Sequence, residues 1–165
     1  MAIRVRPLDT AIRSARPDDE NFLIALSMRV FWPYAEDPAG IVRRILRRGL
    51  HEVAVAVQGE TRVGFVAVQI EALGRDFGPW QQPSVAYLNA IAVRPNVTNR
   101  GIGRRLLEHA ESCARAHGAV SMSLRTAETN VAAQSLFLGA GYQMLTVFDA
   151  IYIDGQRAFS MFKAL

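Results

Sequence analysis

Leu88-Asn89-Ala90-Ile91-Ala92-Val93-Arg94-Pro95-Asn96-Val97-Thr98-Asn99-Arg100-Gly101-Ile102-Gly103-Arg104-Arg105-Leu106-Leu107 joins an apolar strand, through a proline-containing turn, to a Gly-x-Gly that opens a helix. The N–H groups of a helix's first turn have no carbonyl one turn back, so they attract anions. The arginines around this start oppose the helix dipole instead of complementing it. That combination makes physical sense when a negatively charged ligand lies between them. Gly101 and Gly103 remove side chains where the backbone must approach such a ligand closely, which suits a diphosphate.

The glycines complete neither common nucleotide motif. A dinucleotide fingerprint needs a third glycine at position 106, which is Leu106, and no Gly-Lys-Ser/Thr of a P-loop is present.

Working outward, residues 1–10 read as a flexible leader and 11–165 as one domain, with no internal repeat or linker. Ile12 to Ala15 is extended, and Arg16-Pro17-Asp18-Asp19-Glu20 brings acids to a helix start. The first helix covers 19–30, where Phe22, Leu23, Leu26 and Val30 recur at helical spacing, and a second spans about 38–48, ended by Gly49. Glu52–Gln58 and Arg62–Glu71 form a valine-rich hairpin around Gly59-Glu60, followed by a loop over 73–83. A strand over 85–93, a helix over 101–117, a strand over 120–126 and a helix over 130–138 come next. A closing hairpin, about 142–153 and 156–163, turns on Asp154-Gly155. The order β-α-α-β-β-β-α-β-α-β-β specifies a mixed α/β sheet covered by helices.

Half of the 165 residues are apolar, enough for a single core without disulfides or metal. Cys113 is the lone cysteine, and His51, His109 and His117 are scattered, so no metal site is expected. Ile102, Leu106, Leu107, Ala110 and Cys113 form one helical stripe, which assigns the thiol to packing and not to nucleophilic chemistry. Met1 to Thr10 lacks a signal-peptide apolar stretch, and no apolar run reaches membrane-span length; a soluble protein of a reducing cytoplasm is expected. The net charge of +4 comes almost wholly from arginine, since Lys163 is the single lysine. It fits an acidic ligand or compositional bias equally. Arg43, Arg44, Arg47 and Arg48 flank the stripe Ile41, Val42, Ile45 and Leu46. A solvated helix face explains them without nucleic acid, because no recognition-helix or stacking pattern accompanies them.

Val93-Arg94-Pro95 followed by Thr98-Asn99-Arg100-Gly101-Ile102-Gly103 resembles the main motif of the GNAT superfamily of N-acetyltransferases, which use acetyl-coenzyme A. Thr98 stands where that pattern has Gln or Arg. The family's second motif is matched by Asn130, Ala133, Leu136, Phe137, Gly141 and Tyr142, with Phe137 in place of the usual Tyr. The resemblance implies a mostly antiparallel sheet of about seven strands, flanked by four helices, whose central strands splay to admit the coenzyme. It implies main-chain contacts from Ile91, Ala92 and Val93, and a diphosphate cradle of Asn99, Arg100, Gly101, Ile102, Gly103 and Arg104. Asn130, Ala133 and Phe137 lie along the opposite wall. Asn130 also suits a plain helix N-cap.

Family members often carry a Glu base at a position matching Tyr87 or Asn89; strand alternation puts both on one face, where they can position a water. Glu128 is a further candidate base, or simply an acid decorating a helix start. With Phe137 lacking a hydroxyl, Tyr87 and Tyr142 are the nearest donors to a departing thiolate in motif position. The resemblance also assigns acceptor recognition to Met28–Asp37, the 73–83 loop and the final hairpin, with Phe31, Trp32, Tyr34 and Trp80 as candidate lining and Glu36, Asp37 and Asp76 as attractors of a cationic amine. Two functions follow: N-acetyl transfer to an amine of a small molecule or peptide, or a coenzyme-binding sensor with little turnover. A homodimer joined through the last hairpin is the expected assembly.

Overall fold

A computed structural model describes residues 9–49 and 51–165. Strands β1 (Thr10–Ser14), β2 (His51–Gln58), β3 (Thr61–Ala72), β4 (Ser84–Val93), β5 (Ala119–Ala127), β6 (Gln143–Phe148) and β7 (Ala158–Ala164) make one sheet in the order β1-β2-β3-β4-β5-β7-β6. Every neighbouring pair is antiparallel except β4–β5, which is parallel. Helices α1 (Glu20–Phe31) and α2 (Pro38–Arg48) pack on one face with Val55, Phe65, Ala90 and Ala92. Helices α3 (Ile102–Ala116) and α4 (Val131–Gly139) pack with Val66, Leu88, Met122 and Met161, the second core cluster. This is the mixed sheet with four helices that the element order implies.

Local chemistry sets the boundaries. Asp37 caps α2 by accepting the Gly40 N–H at 2.8 Å, Pro38 fills the first turn, and Gly49 ends the helix at φ 57°, a left-handed value that costs glycine nothing. Asn130 caps α4, its Oδ1 accepting the Ala133 N–H at 3.2 Å.

Four expectations need correction. Thr10 is a buried sheet residue opening β1, so the proposed leader cannot reach position 10; its residues 1–8 lie outside the described ones. In α3 the buried stripe passes through Ala114, while Cys113 is only half-buried at its margin. Strand β6 stops at Phe148, and 149–157 form a loop with a single 3-10 turn instead of a tight hairpin. Finally, β4 does not alternate strictly: Val68 pairs with Leu88 and Ala67 with Ala90, leaving Asn89 as a bulge. Leu88 therefore packs toward α3, and Ala90 toward α1 and α2.

Asp19, fully buried, ties β1, the entry to α1 and β3 together. It accepts from Arg13 at 2.7 and 3.0 Å, from Arg62, and from the Arg16 N–H at 2.7 Å. The Arg13 side chain is the main cause holding its carboxyl well below the usual carboxylate range. Asp19→Asn should cost about 2–3 kcal/mol, less than a fully buried pair because both arginines keep some solvent contact. A depressed native pKa contributes stability above the unfolded value of about 4 and loses it as pH falls through the native value. Thermal melts at pH 7 and pH 3 should therefore differ less in Asp19→Asn than in wild type; an equal difference would remove this role.

Candidate active site

The parallel ladder between β4 and β5 ends at Leu88↔Leu124. Beyond it, β4 stays paired to β3 as far as Val93 and β5 stays paired to β7 as far as Ala127. The two central strands thus part after Leu88, leaving the facing edges of 89–93 and 125–127 unpaired with each other. Unpaired strand edges offer a row of N–H and C=O groups to an added chain.

At the end of β4 a 3-10 turn over Pro95–Val97 leads into the helix. Thr98 is engaged locally, its hydroxyl donating to the Pro95 carbonyl at 3.0 Å. Asn99 and Gly101 both take left-handed backbone, φ 60° and 77°, which turns successive N–H groups outward. The first N–H of the helix with a helical partner is that of Arg105, donating to Gly101 at 3.0 Å; among the described residues no carbonyl accepts from 99–104. A Cβ on Gly103 would stand 3.4 Å from Leu136 of α4, an ordinary packing distance, so the approach of the two helices does not itself demand glycine there.

A groove runs from this turn through the sheet. Its turn half is lined by Val93, Thr98, Asn99, Gly101, Gly103 and Leu136, its aromatic half by Phe31, Tyr34, Asn89, Arg125, Phe137 and Tyr152. Phe31, Ile91, Asn130 and Ala133 line both halves, so the two are continuous.

Of the residues singled out from sequence, Ile91, Ala92, Val93, Asn99, Gly101, Ile102, Gly103, Arg104, Asn130 and Ala133 border the turn half, and Phe137 the aromatic half. Ala92 keeps its side chain in the core of α1 and α2. Arg100 is exposed, whereas Arg104 is held by Glu108 and by the Gly139 carbonyl, both at 2.8 Å. Asn130 spends its oxygen on the helix cap and keeps its amide NH2.

The candidate bases fare differently. Asn89 lines the aromatic half, and its Oδ1 is buried without a hydrogen-bond partner. Asn89 also lines a cleft with Gln69, the cross-strand partner of Tyr87, and with Ile41 and Ile45 of α2, so it shares the face of Tyr87 as alternation implies. Tyr87 sits at the last-but-one paired position and does not border the groove; burial raises its phenol, outweighing Arg125, so it stays protonated and is no base. Glu128 accepts the Arg157 N–H at 3.0 Å and the Arg157 Nε at 2.8 Å, which pull its carboxyl below the usual range. It straps the end of β5 to the start of β7 instead of facing the groove.

Tyr142 is buried and donates to Met122 Sδ at 3.1 Å, so it cannot serve a thiolate in the groove. Trp32 is exposed and Trp80 stacks on Phe77 within its own loop; neither borders the groove. Asp37 caps α2 and Asp76 accepts the Gln82 N–H at 3.2 Å, which leaves no carboxylate lining the aromatic half among the described residues. Cys113 Sγ lies 3.8 Å from His117 Nδ1, but that nitrogen is 2.9 Å from the Cys113 carbonyl, which only accepts, so it carries the hydrogen and takes no proton from the thiol. Among the described residues no group of His, Cys, Asp and Glu is arranged to hold a metal, and no helix is long and apolar enough to cross a membrane.

Two lining residues, Tyr152 and Arg125, carry no signal in the sequence that marks them. Tyr152 lies edge-on to Tyr34 at 6.5 Å, and burial pushes its phenol up to about 12. Arg125 lies over the Phe148 ring at 4.4 Å.

The acetyltransferase (GNAT) family model matches residues 16–142. Among solved structures, Arabidopsis thaliana NAA60 in complex with acetyl-CoA superposes with a TM-score of 0.81 at 14% identity, covering 95% of this chain and 100% of that one. The ribosomal-protein-S18-alanine N-acetyltransferase of Escherichia coli gives 0.75 at 22% identity, covering 94% of each chain. Chaetomium thermophilum Naa20 in complex with a bisubstrate analogue gives 0.73 at 26% identity, covering 94% of this chain and 86% of that one. No curated protein sequence matches significantly. With the family model spanning most of the chain and the splayed-strand sheet in place, the chain belongs to the acetyltransferase (GNAT) family of enzymes.

Proposed function

We propose that this enzyme transfers the acetyl group of acetyl-CoA to a primary amine of a small molecule or peptide, by direct attack within a ternary complex. The observation that carries this reading is the continuous groove joining a turn of unpaired N–H groups to an aromatic pocket through parted strands. Its parts fit the coenzyme. The N–H groups of 99–104 suit a pyrophosphate, and the free edge of β4 suits the amides of the pantetheine arm. When bound, acetyl-CoA supplies a thioester carbonyl for a neutral amine to attack.

The chain's own groups then divide the work. Main-chain groups of Ile91 and Val93 hold the arm and orient the carbonyl, and Asn130 presents its amide NH2 from the other wall. The orphaned Asn89 Oδ1 accepts an N–H from the amine, recovering an interaction whose absence costs a buried oxygen about 1–3 kcal/mol. With no carboxylate on the aromatic half, the amine arrives neutral or loses its proton to water. Tyr152, protonated throughout the physiological range, donates to the departing thiolate in place of the hydroxyl that Phe137 lacks, and its phenolate recovers a proton, through water, from the nitrogen that becomes the amide.

Purified protein given acetyl-CoA and an amine panel should release free thiol above background. Tight coenzyme binding by calorimetry with no release would mark a coenzyme-binding sensor instead. The same reading has a single domain working in a reducing cytoplasm as a homodimer. Edge strand β6, exposing Met144, Leu145 and Val147, supports the dimer. Sedimentation should return a dimer mass, and a monomer at micromolar concentration would remove that part.

A further inference from the structure

We infer that the acceptor carries a carboxylate near its amine and that Arg125 is the side chain that recognises it. This deepens the acetyl-transfer reading and rests on it. Arg125 stands on β5 just past Leu124, its last residue paired to β4, so the parting of the strands is what brings it to the groove. Among the described residues it is the one side chain lining the aromatic half that carries a full charge at neutral pH.

What sets it apart is its place, since no other described arginine lines the aromatic half. No described carboxylate lies within 4.0 Å of Arg125, so its charge is not spent on an ion pair within the chain. The carbon of its guanidinium instead lies 4.4 Å from the centre of the Phe148 ring, a contact that steadies the side chain while leaving its N–H fork for a ligand. Arg125 is solvent-exposed while lining this half, so a ligand in the groove can reach its guanidinium.

None of the acids that would favour a purely cationic acceptor lines the groove: Asp37 is on the α2 cap, Asp76 is in its own loop, and Glu36 is exposed outside the lining. A cationic amine without a compensating anion would therefore meet an unbalanced positive charge. An amine bearing a carboxylate instead meets both an acceptor, Asn89 Oδ1, and a bidentate donor, Arg125. Two sources share this chemistry: the α-carboxylate of a free amino acid, and an acidic side chain near the amino terminus of a peptide.

The test compares acid and amide partners in kcat/KM for thiol release. Alanine against alaninamide probes the α-carboxylate, and C-terminally amidated peptides beginning Ser-Glu against Ser-Gln probe the side chain. Wild type should prefer the acid about tenfold to a hundredfold in at least one pair, and the responding pair names the source. Arg125→Gln should bring that ratio to within about twofold of one, with CoA affinity and thermal midpoint retained, and Arg125→Lys should restore part of it. A ratio near one in wild type for both pairs, or a preference that survives Arg125→Gln, overturns the inference while leaving acetyl transfer intact. Absence of thiol release from every acceptor overturns the transfer itself.

Discussion

Gly101→Glu is expected to raise the Kd for CoA by about a hundredfold or more, equivalent to about 2.7 kcal/mol. Gly101 holds φ 77°, and a side chain there pays about 1–2 kcal/mol for left-handed backbone, loosening the turn that aligns the N–H groups of 99–104. The added carboxylate also puts like charge beside a pyrophosphate. Steric clash is not the cause, since a Cβ at this position meets nothing within 4 Å. Gly118→Glu is the matched control: φ 79°, equally open, and at the far end of α3. Both variants should lose a similar few degrees of thermal midpoint, while only Gly101→Glu loses affinity. Equal CoA affinities in the two would contradict the cradle.

Tyr152→Phe should lower kcat about a hundredfold and leave the Kd for CoA within about twofold, the pattern of a lost proton donor that does not contribute to binding. The phenol near 12 also fixes the sign of the pH dependence. Raising pH increases the neutral fraction of the amine and does not deprotonate Tyr152 until well above physiological values. The wild-type rate should thus climb through neutral pH and hold its plateau past pH 10. Glu128, already below the usual carboxylate range and strapped to Arg157, should add no acid limb. An unchanged kcat in Tyr152→Phe would contradict the assignment.

The parts of this molecule written in short-range chemistry were legible from the chain itself. Gly49 ends α2, Gly59-Glu60 turns β2 into β3, and the Val93-to-Gly103 join marks the anion-binding turn. Each depends on backbone preferences of neighbouring residues. What escaped depends on long-range placement. Tyr152 reads as part of a strand, yet its loop is pulled over the groove by bonds to the α1–α2 connection: the Ile153 N–H donates to the Tyr34 carbonyl at 3.4 Å and Gln156 Nε2 to the Pro33 carbonyl at 3.0 Å. Arg125 reads as an ordinary exposed strand residue, and only the parting of β4 from β5 brings it to the groove.

The bulge at Asn89 is silent in an apolar run because nothing in its composition marks the extra residue; the pairing of Val68 and Ala67 does. Two of the three acids named as attractors of an amine are engaged locally for a related reason. Asp37 and Asp76 satisfy nearby backbone N–H groups, a local demand that takes precedence over any ligand.

A crystal structure of the protein with CoA bound decides the matter most directly. The pyrophosphate oxygens are expected within hydrogen-bond distance of the N–H groups of 99–104, and the pantetheine arm between the free edges of β4 and β5 with its sulfur in the aromatic half. Density for the coenzyme outside this groove, or a groove closed by the protein's own side chains at saturating CoA, would contradict this expectation.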